Sequence, residues 1–464
     1  MKSLVNKLIR EDNFLSLTGN VVIAILGIGG FAILARTLSK ELFGEWVLFV
    51  AAASLLEMFR FGITSIGLIR FLSGANQQER KALIGANLTI GIVFSVLIAL
   101  IVFGINWFFS DALADSGYVL FFKYYPALVL VNLFWNNAIC ILQSDLSFGK
   151  ILTIKSINSG LFFLCLLFHA FVTALTLDQL VYCLIAVNLV TSVFTFLKGW
   201  DELAALGQTT KSAINTLLNF GKYTTITLLG TNLLRNADSF IIGLSPLGPA
   251  AVALYSIPVK LTELQQIPLR SFAATAFPKM SKASGAGDLK KLKDLFYTYS
   301  GALTLLFALG SLVTFLFADL LVLILSGNQY AGIDPITGFN AADILRVFAL
   351  YGLLLPIDRM TGIGLDSINK PKINALKVLV MLSFNIVGDL IAIFMFESLM
   401  MVAWATILFT FIGIWLGFVF MDRAVDLSFR RIFTEGIKFY VQGWAQLKTR
   451  LGSKNVGPVN RELP

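Results

Sequence analysis

Three pairs of opposite charges sit three residues apart in otherwise apolar sequence: Glu57 and Arg60, Arg235 and Asp238, Lys260 and Glu263. On a helix this spacing puts both members on one face, within reach of each other. A charge at the centre of a bilayer costs about 2.5–3.5 kcal/mol on insertion scales, so such groups face a partner or a cavity. Two chemistries follow. Either each pair only neutralises itself, or the cations present a basic interior to an anion such as a diphosphate or an acidic sugar. For any single pair the first reading is the simpler one. Lys123 and Arg346 look like cations without such a partner. Both fall near the ends of their apolar stretches, where a long side chain reaches the headgroups, and Arg36 is similar. Taken together, Arg60, Lys123, Arg235, Lys260 and Arg346 place five cations in apolar sequence, in both halves of the chain. If three of them face a common cleft, that cleft is basic. The carboxylates open to a coupling ion, Na+ or H+, are Asp238, Glu57, Glu263 and Asp389. Asp389 has no opposite charge one turn away; it binds such an ion, or it accepts a hydrogen bond from Asn385 or a neighbouring helix.

Other chemistries find little footing. The only histidine, His169, ends an apolar stretch, which is a poor place for a proton relay. Cys140, Cys165 and Cys183 lie inside apolar stretches and share no CxxC spacing, so inert buried thiols are expected rather than disulfides or a zinc site. Gly221-Lys222 lacks the glycine five residues earlier that a phosphate loop needs, and there is no HExxH. No metal, no cofactor and no enzyme of the soluble type is expected.

These residues are positioned by long apolar segments. The 464 residues are 57% hydrophobic and 14% charged, with a mean hydropathy of +0.81, whereas a soluble domain carries about a quarter charged residues. Twelve runs are long enough to cross a bilayer core: 14–36, 43–69, 86–109, 119–142, 151–172, 177–198, 220–244, 249–272, 298–325, 343–365, 374–396 and 398–421. Between them the basic residues alternate. The N-terminal tail, the even-numbered loops and the C-terminal tail hold 29 Lys and Arg, counting those a few residues inside the flanking runs (Lys155, Lys198, Lys222, Arg270, Arg359 and Lys377); the odd loops hold only Arg36, at the end of its run, and Lys40. By the positive-inside rule both termini are cytoplasmic. The net charge of +9 therefore faces an anionic inner leaflet, which explains it better than nucleic-acid binding does. The first run is too long for a signal-peptide core and reads as an uncleaved anchor.

The chain carries a weak internal repeat. At an offset of 209, Phe43-Gly44-Glu45-Trp46 meets Val252-Ala253-Leu254-Tyr255 and Arg70 meets Lys279; within a residue or two, Arg80-Lys81 meets Lys290-Lys291. Several features sharing one offset suggest duplication of a six-helix unit in one orientation, a parallel repeat. The expected organisation is an N-terminal six-helix lobe over 1–198, a polar cytoplasmic linker over 199–219, a C-terminal six-helix lobe over 220–421 and a tail over 422–464. In the tail, Phe429, Ile432, Phe433, Ile437, Tyr440, Val441 and Trp444 recur at helical spacing among Arg430, Arg431 and Lys438. This predicts a basic amphipathic helix lying on the inner leaflet or docking a partner, dispensable for transport.

Leu34-Ala35-Arg36-Thr37-Leu38 with Phe43-Gly44-Glu45-Trp46 resembles the helix 1–2 region of polysaccharide-biosynthesis flippases. These form the O-antigen (Wzx-type) branch of the multidrug/oligosaccharidyl-lipid/polysaccharide (MOP) exporter superfamily. Asn236-Ala237-Asp238-Ser239-Phe240 followed by Ala253-Leu254-Tyr255-Ser256 is similar to that family's helix 7–8 region. Phe277-Pro278-Lys279-Met280-Ser281, Leu325-Ser326-Gly327-Asn328-Gln329-Tyr330 and Asn369-Lys370-Pro371 resemble later landmarks, over about residues 15–421. The chain departs from the family at Arg60-Phe61-Gly62, where an acidic residue often stands. The resemblance implies an all-α integral membrane protein with about twelve transmembrane helices in two lobes. It implies a flippase of undecaprenyl-diphosphate-linked oligosaccharides in the bacterial inner membrane, serving O-antigen, capsule or exopolysaccharide synthesis. The implied partners are the lipid-linked oligosaccharide, membrane lipids and polysaccharide assembly proteins. Two alternatives stay open. A drug/cation antiporter of the same superfamily wants an acidic, aromatic cavity. A membrane-embedded polysaccharide polymerase wants a long outer loop with catalytic Arg, His or carboxylates, and the longest, Ser326 to Asp343, offers only Asp334 and Asp343.

Overall fold

The structure, a computed structural model, describes residues 12–72, 75–114, 116–172, 176–335 and 337–453. Among the described residues there are helices and no β-strand. The first group is α1 (Asp12–Thr37), α2 (Lys40–Leu72), α3 (Gln77–Phe108), α4 (Val119–Val131), α5 (Leu133–Ser144), α6 (Phe148–Val172), α7 (Leu177–Leu197) and α8 (Lys211–Gly243). There follow α9 (Gly248–Glu263), α10 (Gln266–Gly285), α11 (Leu289–Leu316), α12 (Ala318–Ser326), α13 (Ala341–Ser367), α14 (Pro371–Phe394), α15 (Leu399–Val425) and α16 (Phe429–Ser453).

Seven of these, α2, α3, α6, α7, α11, α14 and α15, are long and apolar enough to cross a membrane. Taken together, α4 and α5, bent by 48° at Asn132, are long and apolar enough to make an eighth. The other expected spans coincide with α1, α8, α9–α10 and α13. The last three are diluted by the charges that the sequence singles out: Arg235 and Asp238 on α8, Lys260 and Glu263 on α9, Asp343 and Arg346 on α13. The apolar run 298–325 is two helices, because α11 starts at the cap of Asp288 and ends at Leu316, and α12 begins at Ala318. Lys290, Lys291 and Lys293 thus ride on the first turns of α11 rather than in a loop.

Packing divides the chain into two compact units, residues 1–257 with 323–338, and residues 258–322 with 339–464. The boundary falls within α9, next to Pro258. In the first unit α2 and α8 lie backbone to backbone. A Cβ on Gly221 would sit 1.8 Å from the Ile63 carbonyl oxygen, and one on Gly62 would sit 2.7 Å from Thr225 Cα. Small residues permit this approach where hydrophobicity alone cannot drive helices together. The expected linker 199–219 is folded: the 3-10 turn Leu203–Gln208 lies against α3, with Ala205, Ala213 and Leu217 in the core beside Ile84 and Leu88. In the second unit α13 meets α15 at Gly364 with Met421 and at Gly417 with Thr361, and α14 meets α15 at Gly388 with Ala405.

The tail helix also packs on its own unit along one strip. α16 crosses α11 at two glycines, where a Cβ on Gly436 would lie 2.5 Å from the Gly301 carbonyl oxygen. Ile432 is fully buried in the unit's core, the Ser428 amide donates to Tyr297 Oη at 2.7 Å, and Tyr440 Oη donates to the Ala302 carbonyl at 3.0 Å. Beyond the strip at Ile432 and Gly436 most of the helix is exposed, with Phe429, Phe433, Ile437, Phe439, Tyr440, Val441 and Trp444 among the exposed residues. The apolar pattern serves two faces at once, so the helix is built into the fold and deleting it would open the core.

Candidate functional site

Arg60, in the second half of α2, is 2% exposed. Its guanidinium pairs with Glu57 one turn back. It also donates to Asn132 Oδ1 at 2.8 Å, to Ser95 Oγ at 3.0 Å and to the Val129 carbonyl at 2.6 Å. Glu57 accepts from Tyr125 Oη and Asn132 Nδ2, each at 3.1 Å. The break between α4 and α5 explains this cluster. A broken helix leaves carbonyls that the next turn no longer satisfies, and in an apolar setting each must find a donor. Arg60 supplies one for Val129, and Ser192 of α7 supplies one for Val131 at 2.5 Å. Arg60 therefore pins the kinked span inside its own unit. It was expected to line a cleft, but its guanidinium is closed in by four partners.

The other pairs are more open. Lys260 meets Glu263 at 2.8 Å, with side chains 28% and 29% exposed. Arg235 is exposed on α8, while Asp238 accepts from Tyr255 Oη of α9 at 2.7 Å. Arg235 belongs to the first compact unit and Lys260 to the second.

Two cations expected without partners have them. Lys123 meets Asp178 at 3.3 Å across α4 and α7, on an exposed surface. Arg346 pairs with Asp343, three residues before it, and with Asp319 of α12. The first partner was invisible because it lies 55 residues away; the second was in plain sight at the same spacing as the other pairs. Arg36 is exposed at the end of α1 and donates to the Ile324 carbonyl. Asp389 is fully buried on α14, where Asn385 Nδ2 donates to it at 3.0 Å. Cys140 is buried, Cys165 and Cys183 are half-buried, and all three are free thiols.

A buried cation was missed altogether. Lys377, near the start of the apolar run 374–396, lies on α14 and is 2% exposed. Its Nζ meets Asp358 Oδ1 at 2.7 Å, the Asp358 carbonyl at 3.0 Å and Thr361 Oγ1 at 3.0 Å. Three acceptors use the three protons of an ammonium. The signal was the hairpin: α13 and α14 turn at Asn369, whose φ is +59°, and Thr361 and Lys377 are equidistant from that turn.

A cleft of about 550 Å³ in the second unit, between the start of α11 and the α15–α16 junction, holds Lys290, Lys293, Arg423 and Arg431. Asp294, Asp422 and Asp426 line it too, so the charges nearly balance and no phosphate site results. Among the described residues no cluster of His, Cys, Asp or Glu could hold a metal ion.

The fold is that of MOP-superfamily transporters: an all-α, multi-pass membrane protein with about twelve transmembrane helices. It is similar to the lipid II flippase MurJ in an inward closed conformation (TM-score 0.70, 13% identity, 94% of this chain and 92% of that chain). It is also similar to an inward-facing multidrug resistance MATE family transporter (TM-score 0.66, 15% identity, 94% and 96%). A third likeness is to a MOP superfamily transporter from Pyrococcus furiosus whose binding pocket is described as reversed in polarity (TM-score 0.60, 14% identity, 91% and 96%). No curated protein matches the sequence. Residues 9–284 match the polysaccharide biosynthesis protein family, and residues 224–391 match the MatE family. The chain belongs to the polysaccharide biosynthesis protein family.

Proposed function

We propose that the protein is a flippase that moves undecaprenyl-diphosphate-linked oligosaccharide repeat units across the bacterial inner membrane, for O-antigen, capsule or exopolysaccharide synthesis. The observation that carries this reading is the polysaccharide biosynthesis match over residues 9–284. A second support is the exposure of Arg235 and of Lys260, whose side chain is 28% exposed, since a guanidinium and an ammonium suit a diphosphate. Arg235 and Lys260 are the cations that meet the substrate; Arg36, Lys123 and Arg346 lie towards the outer face. Transport proceeds by alternating access of two six-helix lobes, the duplicated halves of the sequence. The coupling ion is Na+ or H+, and Asp389, buried on α14 beside Asn385, is the carboxylate that takes it. The protein works with membrane lipids around it and hands its cargo to polysaccharide assembly proteins.

The rival reading, a drug/cation antiporter, draws on the MatE match over 224–391 and on the multidrug neighbours. Reconstitution separates the two. Proteoliposomes should translocate a lipid-diphosphate-linked oligosaccharide, with a dependence on Na+ or pH that Asp389→Asn removes, and should leave a cationic dye unmoved. Dye transport without lipid translocation would establish the antiporter instead. Orientation follows from the basic asymmetry: a reporter fused after Pro246 should read outside and one after Gly207 inside, and the reverse pattern would invert the topology.

A further inference from the structure

Of all the Lys and Arg residues, only Arg36 and Lys40 fall in loops assigned to the outer face. Both are spent on the same object, the segment 323–338 between α12 and α13. Lys40 Nζ pairs with the Asp334 carboxylate, whose side chain is 1% exposed against 13% for the lysine. Arg36 donates to the Ile324 carbonyl. Gln329 Nε2 donates to the carbonyls of Ala35 and Leu38, the latter at 3.1 Å, and so caps the C-terminal end of α1. Tyr330, 1% exposed, stands edge-on to Phe43 of α2 at 6.4 Å, with Lys40 Nζ 5.6 Å from its ring centroid. Thr337 donates to Asp334 from both its amide and its hydroxyl, at 3.1 and 2.7 Å, and holds the carboxylate towards the lysine.

The segment has a divided allegiance. It packs in the first compact unit, although the chain before and after it, 258–322 and 339–464, belongs to the second. Side chains hold it to one unit and peptide bonds tie it to the other, so any movement between the units loads these contacts. Two of the few cations placed towards the outer face are thus committed to this one segment.

We propose that segment 323–338 is a releasable outer latch, closed by the Lys40–Asp334 pair and the Gln329 cap, which must let go of the α1–α2 hairpin once in each transport cycle. The proposal rests on the transport reading above. The latch is not an acid switch. Burial alone would raise the Asp334 carboxyl, but hydrogen bonds from Lys40 and Thr337 outweigh it and hold it below the ordinary range. Glu41 and Tyr330 are the other titratable groups close by, and burial pushes the Tyr330 hydroxyl up, so it stays neutral at neutral pH. A depressed folded value means that the pair is intact above the unfolded value of about 3.9 and is lost only as pH falls through the lower folded one. Mild acid therefore leaves the latch shut, and mechanical load opens it.

The test uses the full chain with Cys140, Cys165 and Cys183 replaced by alanine. Nitroxides at Glu41→Cys and Ile333→Cys report the latch by pulsed electron resonance, with no substrate needed. The expected distribution is a short distance plus a longer minor component, and Asp334→Asn should increase the longer component several-fold. One short distance in both proteins would make the contact a static staple and overturn the proposal. In a second arm, Lys40→Cys with Asp334→Cys is bridged by a short, reducible bis-thiosulfonate linker. Export should fall at least tenfold and return on reduction, while each single cysteine, treated alike, keeps its export. Unchanged export by the bridged protein would also overturn the latch. If the wild-type protein exports no lipid-linked oligosaccharide, the functional reading has failed, and the resonance distances still decide the latch.

Discussion

Replacing Arg60 with glutamine should strip the membrane of folded protein, and removing Glu57 as well should not bring it back. A simple ion pair behaves otherwise: deleting both members of a self-neutralising pair relieves the charge that a single deletion strands. Here the guanidinium also serves the Val129 carbonyl, freed where α4 breaks into α5, together with Asn132 and Ser95. Taking one partner from a buried pair costs about 3–5 kcal/mol, and an orphaned buried carbonyl costs about 1–3 kcal/mol more. Those sums rival the roughly 5–15 kcal/mol that holds a typical domain together. Size-exclusion profiles and thermal melts in detergent should show both Arg60→Gln and the Glu57→Gln/Arg60→Gln double variant aggregated or melting far below the wild type. A double variant with wild-type stability would reduce Arg60 to the partner of Glu57 and return it to the candidates for the cleft.

Arg235→Gln should behave in the opposite manner, inserting normally and losing export. Arg235 is exposed on α8, and the neighbouring Asp238 is already hydrogen-bonded by Tyr255, so removing the cation strands no buried carboxylate. A charge-assisted hydrogen bond contributes about 1.5–3 kcal/mol, which corresponds to a loss of roughly ten- to a hundredfold. Arg235→Lys keeps the charge but loses the bidentate fork that matches a phosphate and should fall between. The Arg235→Gln/Asp238→Asn double variant is the control for a purely structural pair. Restored export there would assign Arg235 to Asp238 and remove it from substrate recognition.

The membrane character of the fold was legible because twenty-residue apolar runs have few other uses. The charges on α8, α9 and α13 dilute the apolarity of those helices, so some of the residues that pointed to function blurred the helices carrying them, whereas α2 stays apolar enough to cross despite Glu57 and Arg60. Pairs within one helix could be read directly, and Glu57–Arg60 and Lys260–Glu263 form as their spacing predicts. The Arg346–Asp343 pair forms at the same spacing. Burial could not be read. Arg60 and Lys260 have equivalent local patterns, yet one is sealed by the kink of a helix seventy residues away and the other stays open. The amphipathic tail shows the limit of a hydrophobic stripe, which reports that a face is covered but not by what: α11 takes part of it through the Gly301–Gly436 crossing. The Lys40–Asp334 contact joins residues 294 apart and leaves no local trace except two cations where the charge rule expects none.

The central claim is that this protein carries a lipid-linked diphosphate. Mass spectrometry of lipids that co-purify with it tests this most directly. The wild-type protein, extracted gently from its native membrane, should hold a polyprenyl-diphosphate oligosaccharide well above the bulk lipid background, and Arg235→Gln should retain at least tenfold less at equal protein and equal thermal stability. Bulk phospholipid alone on the wild type, or equal enrichment of the polyprenyl species on both proteins, would contradict the account.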